Sequence, residues 1–215
     1  MKIVAISDTH LKLRALQGKM PDGDVLVHAG DLTGRGTSQE IHGQLKELSR
    51  LAEKYKSALF IAGNHDHLFE THPGITANML KDFPKLTYLE DKLHIIDGVK
   101  FYGSPWTPNF CDWAFMPERN SEELQKKWER IPTGVDVLIT HGPPCDILDD
   151  CNRARAVGCA MLRDEIKFRI RPKVHVFGHI HEGYGVLEQD GTKYINASIC
   201  DENYVPSRLP IVFEL

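Results

Sequence analysis

Five short segments of this 215-residue chain carry side chains of the kind that hold metal ions. They are SDTH with Asp8 and His10, AGDLTG with Asp31, AGNHDH with Asn64 and His65, THGPP with His141, and GHIH with His179 and His181. Carboxylate, imidazole and amide oxygen together suit borderline divalent metals such as Mn, Fe, Co, Ni or Zn. The set Asp8, His10, Asp31, Asn64, His141, His179 and His181 is too large for one ion. In Asp8-Thr9-His10 and in His179-Ile180-His181 the donors stand two apart, so an extended backbone is expected to put both on one side of the chain. Gly30, Gly63, Gly142 and Gly178 flank the donors, where sharp turns or close approaches are needed. Asp and Asn at strand ends otherwise serve as turn residues. That reading leaves the ordered set of five segments unexplained.

Donors so far apart in sequence need elements that gather them. Each segment follows an apolar run: KIVAIS (2–7), DVLVHA (24–29), SALFIA (57–62), VDVLIT (135–140) and KVHVFG (173–178). Such runs predict buried strands. In open α/β sheets, ligand groups collect beyond the carboxyl ends of the strands, so the five segments are expected to converge. After the second run, Ile41, Leu45, Leu48, Leu51 and Tyr55 fall on one helical face, and Thr37 with Glu40 has capping-box spacing. A second helix is expected from Ser121 with Leu124 and Trp128 inward, and a third over about Gly158 to Ile170 with Leu162, Ile166 and Ile170 in register. Asp97-Gly98 and Asp190-Gly191 predict two hairpins. Residues 103–120, rich in proline and aromatics without periodicity, predict a long loop or lid. Its Trp106, Phe110, Trp113 and Phe115 are expected to complete the core rather than stack a nucleobase.

The length fits a single domain over residues 1–215. Hydrophobic content of 41% and charged content of 26% exclude a disordered or fibrous chain. A net charge of -4 argues against nucleic acid as the main partner. Cys111, Cys145, Cys151, Cys159 and Cys200 form an odd, scattered set without a C-x-x-C pair, as expected for free thiols in a reducing compartment. The apolar start MKIVAIS is too short for a signal peptide, and no run approaches the roughly 20 apolar residues of a membrane span. A cytoplasmic protein without a membrane partner is the expectation.

Taken in order, Asp8-Thr9-His10, Gly30-Asp31, Gly63-Asn64-His65-Asp66, His141-Gly142 and Gly178-His179-Ile180-His181 resemble the signature of the calcineurin-like metallophosphoesterases. VHAGDLTGRG, FYGSPWTPNFCDWAF and VLITHGPP further resemble the small metallophosphoesterase-domain-containing proteins, which include brain-expressed vertebrate members. Some of those lack the histidine equivalent to His179, which this chain keeps. Periodicity alone supports only an α/β fold. The resemblance implies a four-layer αββα sandwich of two mixed β-sheets flanked by helices. It also implies two divalent transition-metal ions, Mn foremost. Asp8, His10, Asp31 and His181 would hold one and Asp31, Asn64, His141 and His179 the other, with Asp31 bridging and a shared hydroxide as nucleophile.

His65 is implied as the group that protonates the leaving oxygen or stabilises the charged transition state. Asp66 is one carboxylate placed to orient its ring, although the sequence does not decide which carboxylate does so. The implied activity is hydrolysis of a small-molecule phosphoester, with a phosphodiester such as a cyclic nucleotide as the leading class. A phosphomonoesterase or phosphoprotein phosphatase with the same site is the first alternative. A weakly active nucleotide-binding or scaffold protein is the second, and the retention of every donor argues against it. His28 and His175, inside strand runs, read as core or as supports of the site, while His42, His67, His72 and His94 have no motif context. Arg35, Arg153 and Arg155 are able to pair with a substrate phosphate, though exposed arginines are as a rule solvated. Cys145 reads as a buried thiol.

Overall fold

A computed structural model of the chain describes residues 1–152 and 154–215. In chain order it forms β1 (Lys2–Ile6), β2 (Val25–Ala29), α1 (Ser38–Ala52), β3 (Ser57–Ile61), α2 (His67–Thr71), α3 (Pro73–Leu80), β4 (Leu86–Tyr88), β5 (Lys92–Ile96) and β6 (Val99–Ser104). There follow α4 (Glu122–Glu129), β7 (Val137–Thr140), α5 (Ala160–Glu165), β8 (Val174–Phe177), β9 (Gly185–Gln189), β10 (Thr192–Asn196) and β11 (Ile211–Glu214). The five apolar runs become β1, β2, β3, β7 and β8, each stopping just before its donor segment.

The strands build two mixed sheets. One has the order β11-β1-β2-β3-β4, parallel except for β11 at its edge. The other has the order β5-β6-β7-β8-β10-β9, with a parallel centre and β5 and β9 antiparallel at the edges. Alternation along each strand sorts the side chains into two cores. Ile3, Ala5, Val25, Val27 and Leu59 of the first sheet meet Phe101, Val137, Ile139, Val176 and Ile195 of the second between the sheets. Val4, Leu26 and Phe60, with Tyr102, Leu138 and Phe177, belong instead to the core shared with Ile41, Leu45, Leu48, Leu124, Trp128 and Leu162 of the helices. Helices therefore cover both outer faces, and the layers number four.

Local chemistry accounts for the helix ends. Thr37 Oγ1 accepts from the Glu40 amide at 3.2 Å while Glu40 accepts from the Thr37 amide at 3.4 Å, the reciprocal pair that caps α1. Ser121 Oγ accepts from the Leu124 amide and opens α4 as expected, with Leu124 and Trp128 buried. The third helix departs from expectation. Only Ala160–Glu165 is α-helical, and Ile166–Ile170 widens into a π turn. Four residues at 3.6 per turn overshoot a helical face by about 40°, and the wider turn brings Ile170 back over Leu162; both are buried. Each predicted hairpin turn has positive φ at both central residues, 49° and 84° at Asp97-Gly98 and 52° and 81° at Asp190-Gly191.

The aromatic loop corrects one expectation. Trp106 and Phe115 are buried as predicted, with ring centroids 5.2 Å apart, but Phe110 and Trp113 are exposed. Thr107 N donates to Phe115 O and Asn109 N to Pro117 O, which pins the stem and leaves the other two rings at its tip. Among the described residues no helix is long and apolar enough to cross a membrane.

Candidate metal centre

The donor segments meet beyond the carboxyl ends of the parallel strands, between the sheets. Asp8, Asp31 and Asn64 follow β1, β2 and β3 of the first sheet, while His141, His179 and His181 follow β7 and β8 of the second. The path by which they converge is not the extended one expected. Asp8, His10, Asp31 and His179 have φ of 49°, 38°, 59° and 68°, and His181 opens a 3₁₀ turn. Non-glycine residues held there cost free energy and cluster at functional sites. The physical reason is that each strand must reverse within one or two residues for its donor to face the centre. Two glycines make room. Gly30 has φ of 97°, and a Cβ at Gly178 would strike Ser7 Oγ and the Asp8 carboxylate.

Four histidines share one orientation. Nδ1 of His10, His65, His141 and His181 lies 3.2, 2.7, 3.0 and 2.8 Å from the carbonyl oxygens of Thr33, Gly34, Ala29 and Asp201. A carbonyl only accepts, so each Nδ1 donates and each Nε2 is turned toward the carboxylates. That is the arrangement by which second partners orient metal-binding imidazoles. Asp31 Oδ2 stands 3.7, 3.9 and 3.4 Å from Nε2 of His10, His65 and His141, and Asp8 Oδ1 stands 3.5 Å from Nε2 of His181. Nε2 of His10 and His181 are 3.2 Å apart, and His141 Nε2 is 2.9 Å from Asn64 Oδ1. Acceptors brought face to face in this way need positive charge between them, which a cation or a proton supplies.

Among the described residues three overlapping groups have donor atoms within 4.8 Å of one another: Asp8, His10 and His181; His10, Asp31 and His65; Asp31, His141 and His179. Asp31 belongs to two of them. The donor set thus fits two divalent cations about a shared carboxylate, with imidazole and oxygen donors of the type borderline metals prefer.

The electrostatics follow from charge pairs buried together. Burial disfavours the charged form of Asp8, yet His181 and His141 outweigh it and hold the carboxyl well below the usual range. Asp31 is likewise held far down by His141, His65 and His10 against its burial. Burial also opposes the imidazoliums of His141 and His181, but Asp31 and Asp8 respectively push each up to about 9. His179, buried with His141 beside it, is pushed down to about 3. Asp8 is fixed by the hydroxyls of Ser7 and Ser198, neither of which was singled out from the sequence, and by the His179 amide.

Asp66 does not orient His65. Its carboxylate accepts from the amides of Leu32, Thr33 and Gly63 and from Thr33 Oγ1, at 2.8 to 3.1 Å, whereas the His65 ring is oriented by the Gly34 carbonyl. Asp66 precedes a helix and turns back toward the loop after β2, so it ties the Asp31 and Asn64 loops together. Burial, with Asp31 adding to it, pushes this carboxyl up to about 6.

A rim of aromatic rings surrounds the centre. Trp113 lies 4.2 Å from the His65 ring and 5.3 Å from His67, and Tyr204 lies 4.7 Å from His10. On the other side Phe110 lies 5.2 Å from His179. Tyr204, at φ of 59°, sits in a turn whose Asn203 and Val205 amides donate to Asp201 Oδ1, and the carbonyl of the same Asp201 holds His181. No spacing in the sequence ties Asp201 or Tyr204 to the donor segments. His28 is buried against Thr9, supporting the loop after β1, and His175 is core. Cys145 is half-buried, Arg35 is exposed with its amide on Glu40, Arg155 is exposed, and Arg153 lies outside the described residues.

Two face-to-face mixed sheets, one bringing carboxylates, an amide and imidazoles and the other imidazoles to the same end, define a four-layer α/β sandwich with a candidate metal centre. Residues 1–183 match the model of the calcineurin-like phosphoesterase family, and the chain belongs to that family. Among curated proteins it is 40% identical over 237 residues to Metallophosphoesterase domain-containing protein 1 of Homo sapiens, covering 100% of this chain and 71% of that one. It is 37% identical over 243 residues to UPF0046 protein T07D4.2 of Caenorhabditis elegans, covering 100% of this chain and 60% of that one. Among solved structures, TT1561 of Thermus thermophilus has a similar fold, with a TM-score of 0.63 and 16% identity over 91% of this chain and 88% of that one.

Proposed function

We propose that this phosphoesterase hydrolyses phosphodiesters, cyclic nucleotides being one member of the class. In this reading Asp8, His10, Asp31 and His181 hold one divalent cation, Asp31, Asn64, His141 and His179 hold a second, and Mn is the working metal. When bound, the cations supply the charge that polarises a phosphoryl group and acidifies water. The chain's own groups do the rest. Ser7, Ser198 and the His179 amide fix the Asp8 carboxylate. The carbonyls behind Nδ1 lock the imidazoles in one tautomer. In its imidazolium form His65, with Nδ1–H on the Gly34 carbonyl and Nε2–H toward the centre, delivers the Nε2 proton to the leaving oxygen.

The observation that carries the diester reading is the two-sided rim. Trp113 and Tyr204 flank the centre beside His65, and Phe110 flanks it beside His179. A diester brings two ester arms to two such walls, and a monoester brings one. A cytoplasmic place for the protein is proposed likewise, in accord with its free cysteines.

The test compares an aryl phosphodiester with the matching monoester, on metal-depleted protein reconstituted with Mn, Fe, Co or Zn. Turnover of the diester with Mn is expected. Turnover of the monoester alone would overturn the reading. His65→Ala should retain metal by elemental analysis and lose about 10²- to 10⁴-fold in rate; an unchanged rate would remove His65 from the reaction.

A further inference from the structure

Behind Phe110 the rim opens into a cavity of about 290 Å³, lined among others by Pro108, Phe110, Pro143, Val157, His179 and Ile180. It adjoins the candidate metal centre through His179, which lines the cavity and belongs to the donor group of Asp31 and His141. His179 belongs with Asp31 and His141, whereas His65 belongs with Asp31 and His10, so the cavity and the proton donor serve different sides of Asp31. The cavity is also preformed. Arg119 donates from its two terminal nitrogens to the carbonyls of Val157 and Gly158, each at 2.9 Å, fastening the aromatic loop to the opposite wall. Its walls are mostly hydrocarbon, and Phe110, which lines it, is 58% exposed and rests beside His179. A site of this make-up favours an apolar group over a base edge that needs hydrogen-bond partners.

We propose that this cavity is the subsite for the retained arm of the diester and that it takes an apolar, ring-bearing group. The inference rests on the diester reading and narrows it to open diesters with one apolar arm. Water adds across the ester bond on the His65 side: its oxygen bonds to phosphorus as the P–O bond to the leaving arm breaks. His65 gives its Nε2 proton to the departing oxygen and regains one from the water. The cavity arm remains as its phosphomonoester.

The test uses Mn-reconstituted protein with methyl p-nitrophenyl phosphate and 2-naphthyl p-nitrophenyl phosphate, from both of which p-nitrophenolate departs. The naphthyl ester should have a kcat/KM at least about tenfold higher, with the difference in KM. Phe110→Ala and the cavity-filling Val157→Trp should each reduce that ratio by about tenfold. A ratio near one in the parent protein, or a ratio that neither variant moves, overturns the proposal. Binding of 2-naphthyl phosphate to metal-depleted protein, followed by naphthyl fluorescence anisotropy, gives a second readout that needs no turnover. Both variants should weaken it, and binding unchanged in both again overturns the proposal. If the protein cleaves monoesters alone, the diester reading fails while this binding measurement still decides the subsite.

Discussion

Asp66 holds more of the centre in place than its distance from any donor suggests. Removing its carboxylate leaves the buried amides of Leu32, Thr33 and Gly63 without an acceptor, on the two loops that carry Asp31 and Asn64. Asp66→Ala should therefore cost on the order of 3 kcal/mol or more, since each orphaned buried donor costs about 1 to 3 kcal/mol. The measurement is the denaturant midpoint, and a shift below about 1 kcal/mol would show that the loops stand without it. At this scale the sequence was informative about residue type and poor about partners. That Asp8, His10, Asp31, His65, His141, His179 and His181 would come together was legible, because each lies in a segment at the end of an apolar run. The role of Asp66 was not, because neighbours in sequence need not be neighbours in hydrogen bonding. Nor were the left-handed conformations of Asp8, His10 and His179, which are imposed by where the other strands end.

Among the elements, β8 carries a titratable group at its middle. Thr140 Oγ1 donates to the Gly142 carbonyl, so it accepts from His175 Nε2–H at 2.8 Å and leaves the buried Nδ1 without a partner. Burial pushes this imidazole from 6.5 down to about 3. Between those values the unfolded chain binds a proton that the folded chain refuses. Stability is therefore fully present above about pH 6.5 and is lost as the pH falls toward 3, at up to about 1.4 kcal/mol per pH unit from this one group. His175→Gln should flatten the acid limb of a urea-midpoint series, and parallel limbs would refute the assignment. The strands and hairpins were legible from apolar runs and Asp-Gly turns. By contrast β4 and β11 were not anticipated, since LTY and IVFE run into no donor segment and border no Asp-Gly turn. The turn at Asp201 that brings Tyr204 to the rim lies just before β11, in a stretch without a motif.

Across the whole molecule, the two sheets are joined at the candidate centre by donors from both. A cation that binds the folded protein and not the unfolded chain stabilises it by about 2.7 kcal/mol at one hundred times its Kd. For a chain of this length that corresponds to a rise in Tm of roughly 5 to 10 °C. Mn should produce such a rise, a chelator should abolish it, and His181→Ala should reduce it; a Tm indifferent to metal would count against the donor assignment. Which strands share a sheet was not legible from the runs themselves, since a buried strand of either sheet reads as the same apolar stretch. Only the family resemblance carried the two-sheet arrangement.

Ser7, at the end of β1, and Ser198, just after β10, meet in a bridge and share the Asp8 carboxylate. The first sheet and the second are thus stitched at the point where the donors gather, and the gap between their facing side chains works as a gauge. The side chains that fill that gap, Phe101 and Val27 among them, separate the sheet that carries the carboxylates from the sheet that carries His141, His179 and His181. If that gauge holds, trimming a ring in the stack, as in Phe101→Leu, is expected to change which divalent ion raises the Tm most without altering a donor.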